Sequence, residues 1–434
     1  MSKSNSELLL ERRKNAVANG VGIFNTATVQ SANGATIIDV DGIEWIDFTG
    51  GIGVINAGHC PQPVVAAIIE QAQKYIHTSF NVVTYEPYIA LCEKLNELFP
   101  HGGKAKTMLV STGAEAVENA IKIAKQATGR NAVICYSGAF HGRTMMAMTL
   151  TSRTSYSAGC GPFAPEVYRI DYPNFYKKGQ GKTEAEFVTQ ELYRLEKFFK
   201  TNIRHEDVAA IIIELVQGEG GFTVAPKAYI TGLRKICDVY GIKLIFDEVQ
   251  TGFGRTAAWG ALEHYDVQPD LSTWAKSMGS GMPIGCVIGK QEVMDAAAPG
   301  TIGGTYIGNP VACAASLATI KYMEDIKLNE LALHVGDTIR ARFDAMKVKH
   351  SEIGEVRGLG AMIAMEFVKD NDPQRPDYEL CSKLVKACAK RNLIVISAGV
   401  HKSVLRILSP LVISDETLNK GLYIIEEELD KILN

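Results

Sequence analysis

KTMLVSTGAEAVENAIKIAKQATGRNAVICY (residues 106–136) contains an apolar run, a Ser-Thr-Gly turn, a helical stretch, a glycine stop and a second apolar run. Val117, Ala120, Ile121 and Ala124 recur at i, i+3, i+4 and i+7, with Glu118 and Lys122 on another face, and Gly129 follows as the C′ residue. That is one βαβ unit, the repeat from which mostly parallel sheets covered by helices are built. The pattern continues outward through VAAIIIE (208–214), IKLIFDE (242–248) and GCVIG (285–289), each short and almost wholly apolar, as strands buried on both faces must be. The reading is an α/β architecture with a large domain over 61–318. A smaller α+β domain covers 319–434, ending in a helix that Ser414 caps and that carries Leu418, Leu422, Ile425 and Leu429. Residues 1–60 hold two β-rich runs around an Asp41-Gly42 hairpin signal, too few for a core of their own, and are expected to pack with the small domain.

Two charged residues stand where apolar strands end. Asp247 closes IFD in IFDEVQTGFGRT (245–256), and 29 residues later Lys276 follows STWA in WAKSMGSGMPIG (274–285). A buried carboxylate or amine without a partner is expensive. Taken singly, each reads as a surface residue at a strand end. Taken together they fit pyridoxal phosphate, whose aldehyde condenses with a lysine amine and whose pyridine nitrogen is held protonated by a carboxylate. STGA (111–114), with Thr112, Gly113 and Ala114, puts free amides at a helix start, where phosphate binds, although many such turns contain Ser-Thr-Gly for capping alone. GAFHGRT (138–144) offers Phe140 to stack on a planar ring and Arg143 to pair with a carboxylate, against the plain alternative of a core aromatic and a solvated arginine. VQGEGGF (216–222) carries Glu219 on a glycine turn, and VLRIL (404–408) sets Arg406 among apolar neighbours, where a guanidinium requires an anion.

Other classes lack support. YKKGQGKT (176–183) imitates a phosphate-binding loop but has Tyr176 where its first glycine belongs and reads as a solvated loop, and no G-x-G-x-x-G follows a strand. Lys and Arg number 45 against 48 Asp and Glu, with no basic block, so nucleic acid is not expected as a partner. The nine cysteines form no C-x-x-C and no closely spaced Cys/His cluster, so no metal is expected and the thiols read as reduced. Neither a signal-peptide apolar region nor a membrane-length apolar run occurs, which places the expected site of action in the cytoplasm, away from membranes.

With these residues assembled, the chain resembles the class III (subgroup II) pyridoxal-phosphate-dependent aminotransferases of fold type I, and among them the bacterial 4-aminobutyrate type. The resemblance runs from DVDGIEWIDFTGGIGVINAGH (39–59) through TYEPY (84–88), STGAEAVENA, GAFHGRT, VQGEGGF, DEVQTGFGRT, AKSMGSG and GGTYIGNPVACAA (303–315) to EVRGLGAMIAMEF (355–367) and VLRILSPL (404–411). It implies a homodimer with shared active sites, which could pair further, a small-molecule amino donor and a 2-oxoacid acceptor. By this resemblance Lys276 is the cofactor-bearing lysine and proton shuttle and Asp247 the partner of the pyridine nitrogen. Phe140 and Val249 would cover the ring faces, and Gln250 would approach the ring hydroxyl. Gly113, Ala114 and Thr305 of the neighbouring subunit would hold the phosphate. Arg143 would bind the carboxylate distal to the amine, with Ile52 shaping that end of the pocket. Arg406 would bind an α-carboxylate, and Glu219 would mask Arg406 when the donor has none.

The chain departs from the family where Ala114 replaces a frequent Ser, where Leu215 replaces a frequent Pro, and in SMGSGMPIG after the lysine. The expected reaction transfers an amino group from 4-aminobutyrate or a similar ω-amino acid such as 5-aminovalerate to 2-oxoglutarate. Acetylornithine or ornithine transamination and amino-acid racemisation on the same fold stay open as alternatives. A catalytically silent cofactor-binding module is disfavoured by the pairing of Lys276 with Asp247.

Overall fold

The structure is a computed structural model and describes residues 3–434. Its centre is a seven-stranded sheet made of β1 (Ala105–Val110), β2 (Ala132–Tyr136), β3 (Val167–Ile170), β4 (Val208–Ile213), β5 (Lys243–Asp247), β6 (Leu271–Trp274) and β7 (Gly285–Lys290). The strand order is β1-β7-β6-β5-β4-β2-β3. Neighbours pair in parallel except for β7, which runs antiparallel to both β6 and β1. Every residue of β2 and β4 is buried, which explains why these segments read as continuous apolar runs without alternation. The expected α/β class is therefore observed. β3 was not among the strands anticipated, and β6 was marked only by the STWA that precedes Lys276. Val167–Ile170 is a half-buried edge strand containing Arg169, and LSTW in β6 mixes two hydroxyls into a strand of four residues.

The helix after β1 runs Gly113–Thr128, with Thr112 as its N-cap and Gly129 left-handed at φ 67, a conformation that glycine adopts without a Cβ penalty. The C-terminal helix Asp415–Leu433 begins at Ser414, whose hydroxyl accepts from Thr417 N at 3.2 Å. The segment 176–183 differs from a plain loop. Asn174 caps a short helical turn, Phe175–Lys178, and Thr183 starts the helix Glu184–Thr201 with a reciprocal Thr183/Glu186 capping box.

A four-stranded antiparallel sheet near the C-terminus contains Ile353–Leu359, Met362–Phe367, Val404–Ile407 and Ile396–Ala398 in that order. The N-terminal strands Ser31–Asn33, Thr36–Ile38 and Glu44–Asp47 form a separate sheet, completed by Leu393–Ile394 in parallel with Glu44–Asp47. The position 318/319, taken from the sequence as a domain edge, falls inside the helix Pro310–Asp325. Among the described residues no helix is long and apolar enough to cross a membrane.

Candidate active site

Because β1, β2, β4, β5 and β6 are parallel, the segments that follow them emerge at one edge of the sheet, the carboxyl edge where open α/β sheets bind ligands. A cavity of about 630 Å³ opens there. Thr112, Gly113, Ala114, Phe140, Arg143, Glu219, Asp247, Val249, Gln250 and Lys276 all lie on its wall. Arg406 reaches the cavity through Glu219, its Nη2 standing 2.6 Å from Glu219 Oε1. Of the other two anticipated residues, Ile52 is placed elsewhere, whereas Thr305 is expected from a second copy of the chain. Ile52 lines a separate apolar cavity with Leu9, Phe24 and Ile396, and Thr305 is exposed on the loop before Ile307 and absent from the wall. Ile52 has φ 67 and ψ 46, an unusual conformation for a β-branched side chain, inside the run Gly50-Gly51-Ile52-Gly53.

Asp247 is 4% exposed and fully engaged. Its Oδ1 accepts from Val249 N at 3.1 Å and Thr273 Oγ1 at 2.9 Å, and its Oδ2 faces His141 Nδ1 at 2.6 Å. Lys276 is the first residue after Ala275 at the end of β6 and takes φ 51, a left-handed backbone that points to strain held at the site. Burial pushes the Lys276 amine down to about 8. The positive charge of Arg406 acts in the same direction, while Glu219, Asp247 and Glu214 oppose it. Glu214, at the end of β4, accepts from Phe140 N and Gly218 N, both at 3.0 Å. Burial, with the nearby Asp247 charge, pushes its carboxyl up to about 7 against the pull of His141 and those two donors. Burial alone would also raise Glu219, but the charge and hydrogen bond of Arg406, with Lys276 and Arg153, hold it below the usual carboxylate range.

Three features fit a phosphorylated planar cofactor. The helix Gly113–Thr128 presents its first amides to the cavity, and a Cβ on Gly113 would come within 2.9 Å of Val249 Cγ1, so the approach is open only to glycine. Gln250 Oε1 is buried without a partner, as is His141 Nε2. An amine, a carboxylate and a helix N-terminus on one wall supply groups suited to an aldehyde, a pyridine nitrogen and a phosphate.

Sequence reasoning passed over His141, Glu214, Arg153 and Tyr156. Tyr156 packs edge-on to Phe140, with ring centroids 5.2 Å apart. Its ring also carries the Arg143 and Arg153 guanidiniums at 5.2 Å and 5.3 Å from its centroid. Glu214 had a legible signal, for it closes an apolar strand just as Asp247 does. His141, Arg153 and Tyr156 had none beyond their types.

The sequence model of the family aminotransferase class-III matches residues 16–429. The chain is 47% identical to the 5-aminovalerate aminotransferase of Pseudomonas aeruginosa, over 100% of each chain. It is 45% identical to the 4-aminobutyrate aminotransferase of Escherichia coli K12, over 99% of each. Among solved structures, taurine:2-oxoglutarate aminotransferase from Bifidobacterium kashiwanohense, in complex with pyridoxal phosphate and glutamate, superposes with a TM-score of 0.91 at 26% identity. That match covers 100% of this chain and 99% of the other.

Proposed function

This chain belongs to the class-III aminotransferases and is a pyridoxal-phosphate-dependent enzyme, and from that premise we propose that it moves the amino group of 4-aminobutyrate, 5-aminovalerate or a similar ω-amino acid to 2-oxoglutarate. The products are a semialdehyde and glutamate. The observation that carries the reading is the contact of 2.6 Å between Glu219 and Arg406, whose side chain is 3% exposed. A buried guanidinium left unpaired costs about 3–5 kcal/mol. Glutamate brings an α-carboxylate that satisfies Arg406, whereas an ω-amino acid has only hydrogen there and needs Glu219 to stay in place. A movable carboxylate over a buried arginine thus lets one pocket serve both substrates. The names of the relatives support the same donor class.

When bound, pyridoxal phosphate supplies an electron sink for the charge left as a proton leaves the substrate carbon. Lys276 holds the cofactor and carries that proton at Nζ, an amine that its surroundings make available as the free base near pH 8. Asp247, held by Val249, Thr273 and His141, would keep the pyridine nitrogen of the bound cofactor protonated. Gly113 and Ala114 would offer backbone donors to the phosphate, Thr112 caps their helix, and Phe140, Val249 and Gln250 on the cavity wall would hold the ring. Arg143, exposed at the cavity wall, receives the carboxylate distal to the amine.

Thr305 completes the phosphate site from a second copy of the chain. Supporting this homodimer, Ile76 (62% exposed), Val82 (78%) and Tyr306 (68%) are apolar side chains left exposed, and the His77 ring lies tilted against Tyr306 with ring centroids 5.1 Å apart. The enzyme acts in the cytoplasm, in keeping with nine cysteines that form no disulfide.

The test is a series of ω-amino acids of graded length against 2-oxoglutarate and against pyruvate, following glutamate or alanine. Activity should peak at four or five carbons with 2-oxoglutarate. Turnover of ornithine or N-acetylornithine alone, or interconversion of enantiomers without any oxoacid, would replace this reading.

A further inference from the structure

The Glu219 carboxylate stands between two guanidiniums. Its Oε1 is 2.6 Å from Arg406 Nη2, while its Oε2 is 3.5 Å from Arg153 Nη1. The first is a full charge-assisted hydrogen bond and the second lies at the outer limit of one. Among the described residues Arg153 has no other carboxylate within ion-pair distance. Its side chain is 17% exposed and is steadied by Tyr156, whose ring centroid lies 5.3 Å from Arg153 Cζ and whose hydroxyl is 3.5 Å from Arg153 Nη1. An arginine this enclosed, held by an aromatic face and half-engaged with one carboxylate, has an unfilled capacity for an anion.

The turn that carries Glu219 is tied down at its carbonyls. Arg406 Nη1 donates to Gly218 O at 3.1 Å, Gly399 N to Glu219 O at 2.9 Å, and Arg357 Nε to Gly221 O at 2.8 Å. Arg357 is itself clamped by Glu355 and Glu366, both at 2.6 Å. With the backbone anchored at three points, the freedom left to Glu219 is rotation of its own side chain. A carboxylate displaced from Arg406 and 13% exposed needs a new cation within one such rotation.

We infer that Arg153 is the receiving cation of the switch: when the α-carboxylate of glutamate or 2-oxoglutarate takes Arg406, the Glu219 side chain turns and closes on Arg153. Arg153 is thereby a positioning residue that sets the enzyme's tolerance for dicarboxylate substrates without touching them. This rests on the exchange between Glu219 and Arg406 proposed above. Tyr156 also holds Arg143 over the same ring, with its Cζ 5.2 Å from the centroid, so the receiving arginine and the distal carboxylate site share one aromatic support.

The test uses native holoenzyme and three sets of variants in single-turnover half-reactions. Arg153→Met keeps an unbranched chain over Tyr156 and removes the charge. It should raise the apparent dissociation constants of glutamate and 2-oxoglutarate about tenfold, leave the 4-aminobutyrate half-reaction within about twofold, and be largely rescued in Arg153→Lys. Crystals of the native holoenzyme soaked in glutarate, an unreactive dicarboxylate, should show Glu219 off Arg406 and on Arg153. That soak decides the matter even where a variant fails to fold. Equal weakening toward both substrates, no effect in Arg153→Met, or Glu219 seated on any other group in the soaked crystals would overturn the inference. Glu219→Ala and Arg406→Ala separate the two levels. If these show opposite substrate selectivity while Arg153→Met does not discriminate, only the receiving role fails. If they show none, the switch itself fails and the role of Arg153 with it.

Discussion

Asp247→Asn keeps the shape of the side chain and removes its charge, and the structure determines what each change should do. Asp247 satisfies three donors, Val249 N and Thr273 Oγ1 on one oxygen and His141 Nδ1 on the other. An asparagine can keep the first two with its carbonyl and then turns its NH₂ towards His141. His141 Nε2 has no partner, so the imidazole is free to move its proton there and accept at Nδ1. The fold should survive. A charge-assisted contact is worth about 1.5–3 kcal/mol and a neutral one about 0.5–1.5, so the net loss is about 1–2 kcal/mol and melting falls by a few degrees. Catalysis loses more. A fixed anion acting on charge that develops only in the transition state contributes about 2.7–4 kcal/mol, or 10²–10³ in rate. Since in the proposed assignment the carboxylate acts on the cofactor and not on either substrate's carboxylate, the glutamate and 4-aminobutyrate half-reactions should slow by the same factor, with KM little changed. Stopped-flow absorbance of each half-reaction, beside circular-dichroism melting, measures both effects. A rate within about threefold of native, or a loss confined to one half-reaction, would refute the assignment.

Arg143→Ala should raise KM for ω-amino acids and for the acceptor alike by about tenfold to a hundredfold, the loss of a charge-assisted contact of roughly 1.5–3 kcal/mol. An unchanged KM for 4-aminobutyrate in steady-state assays places the clamp elsewhere. Glu219→Ala should slow the 4-aminobutyrate half-reaction far more than the glutamate one, and Arg406→Ala should do the reverse. Equal losses in separate half-reactions would indicate a fixed structural ion pair. The Lys276 amine, pushed down to about 8 mainly by burial, is a free base above that pH. The rate at which apoenzyme recaptures pyridoxal phosphate covalently should therefore rise with pH and level off above about 8. A spectrophotometric midpoint near the ordinary lysine value of 10.5 argues against the burial effect, and covalent capture by Lys276→Ala would remove the assignment altogether.

What the linear sequence determined is local and periodic. Strands buried on both faces are mostly apolar, so β2, β4, β5, β7 and the buried second half of β1 were legible as short apolar runs. In parallel strands every chain leaves the sheet at the same edge, so Thr112, Phe140, Asp247 and Lys276 could be expected near one another once the strands were recognised. The order β1-β7-β6-β5-β4-β2-β3 was not legible, because which buried apolar strand pairs with which depends on crossovers and not on periodicity. The same holds for pairs that are distant in sequence and adjacent in space. His141 meets Asp247 across 106 residues, and Glu219 meets Arg406 between a glycine turn and a strand near the C-terminus, a pairing that the family resemblance implied and periodicity did not. Arg153 and Tyr156 belong to no motif, and their place beside Glu219 and Phe140 arises only when the segment after β2 folds back over the sheet edge. The sequence therefore marked the candidate residues at the strand ends. Only the tertiary structure decided which charges face each other, because electrostatic pairing acts over a few ångströms of space and is blind to separation along the chain.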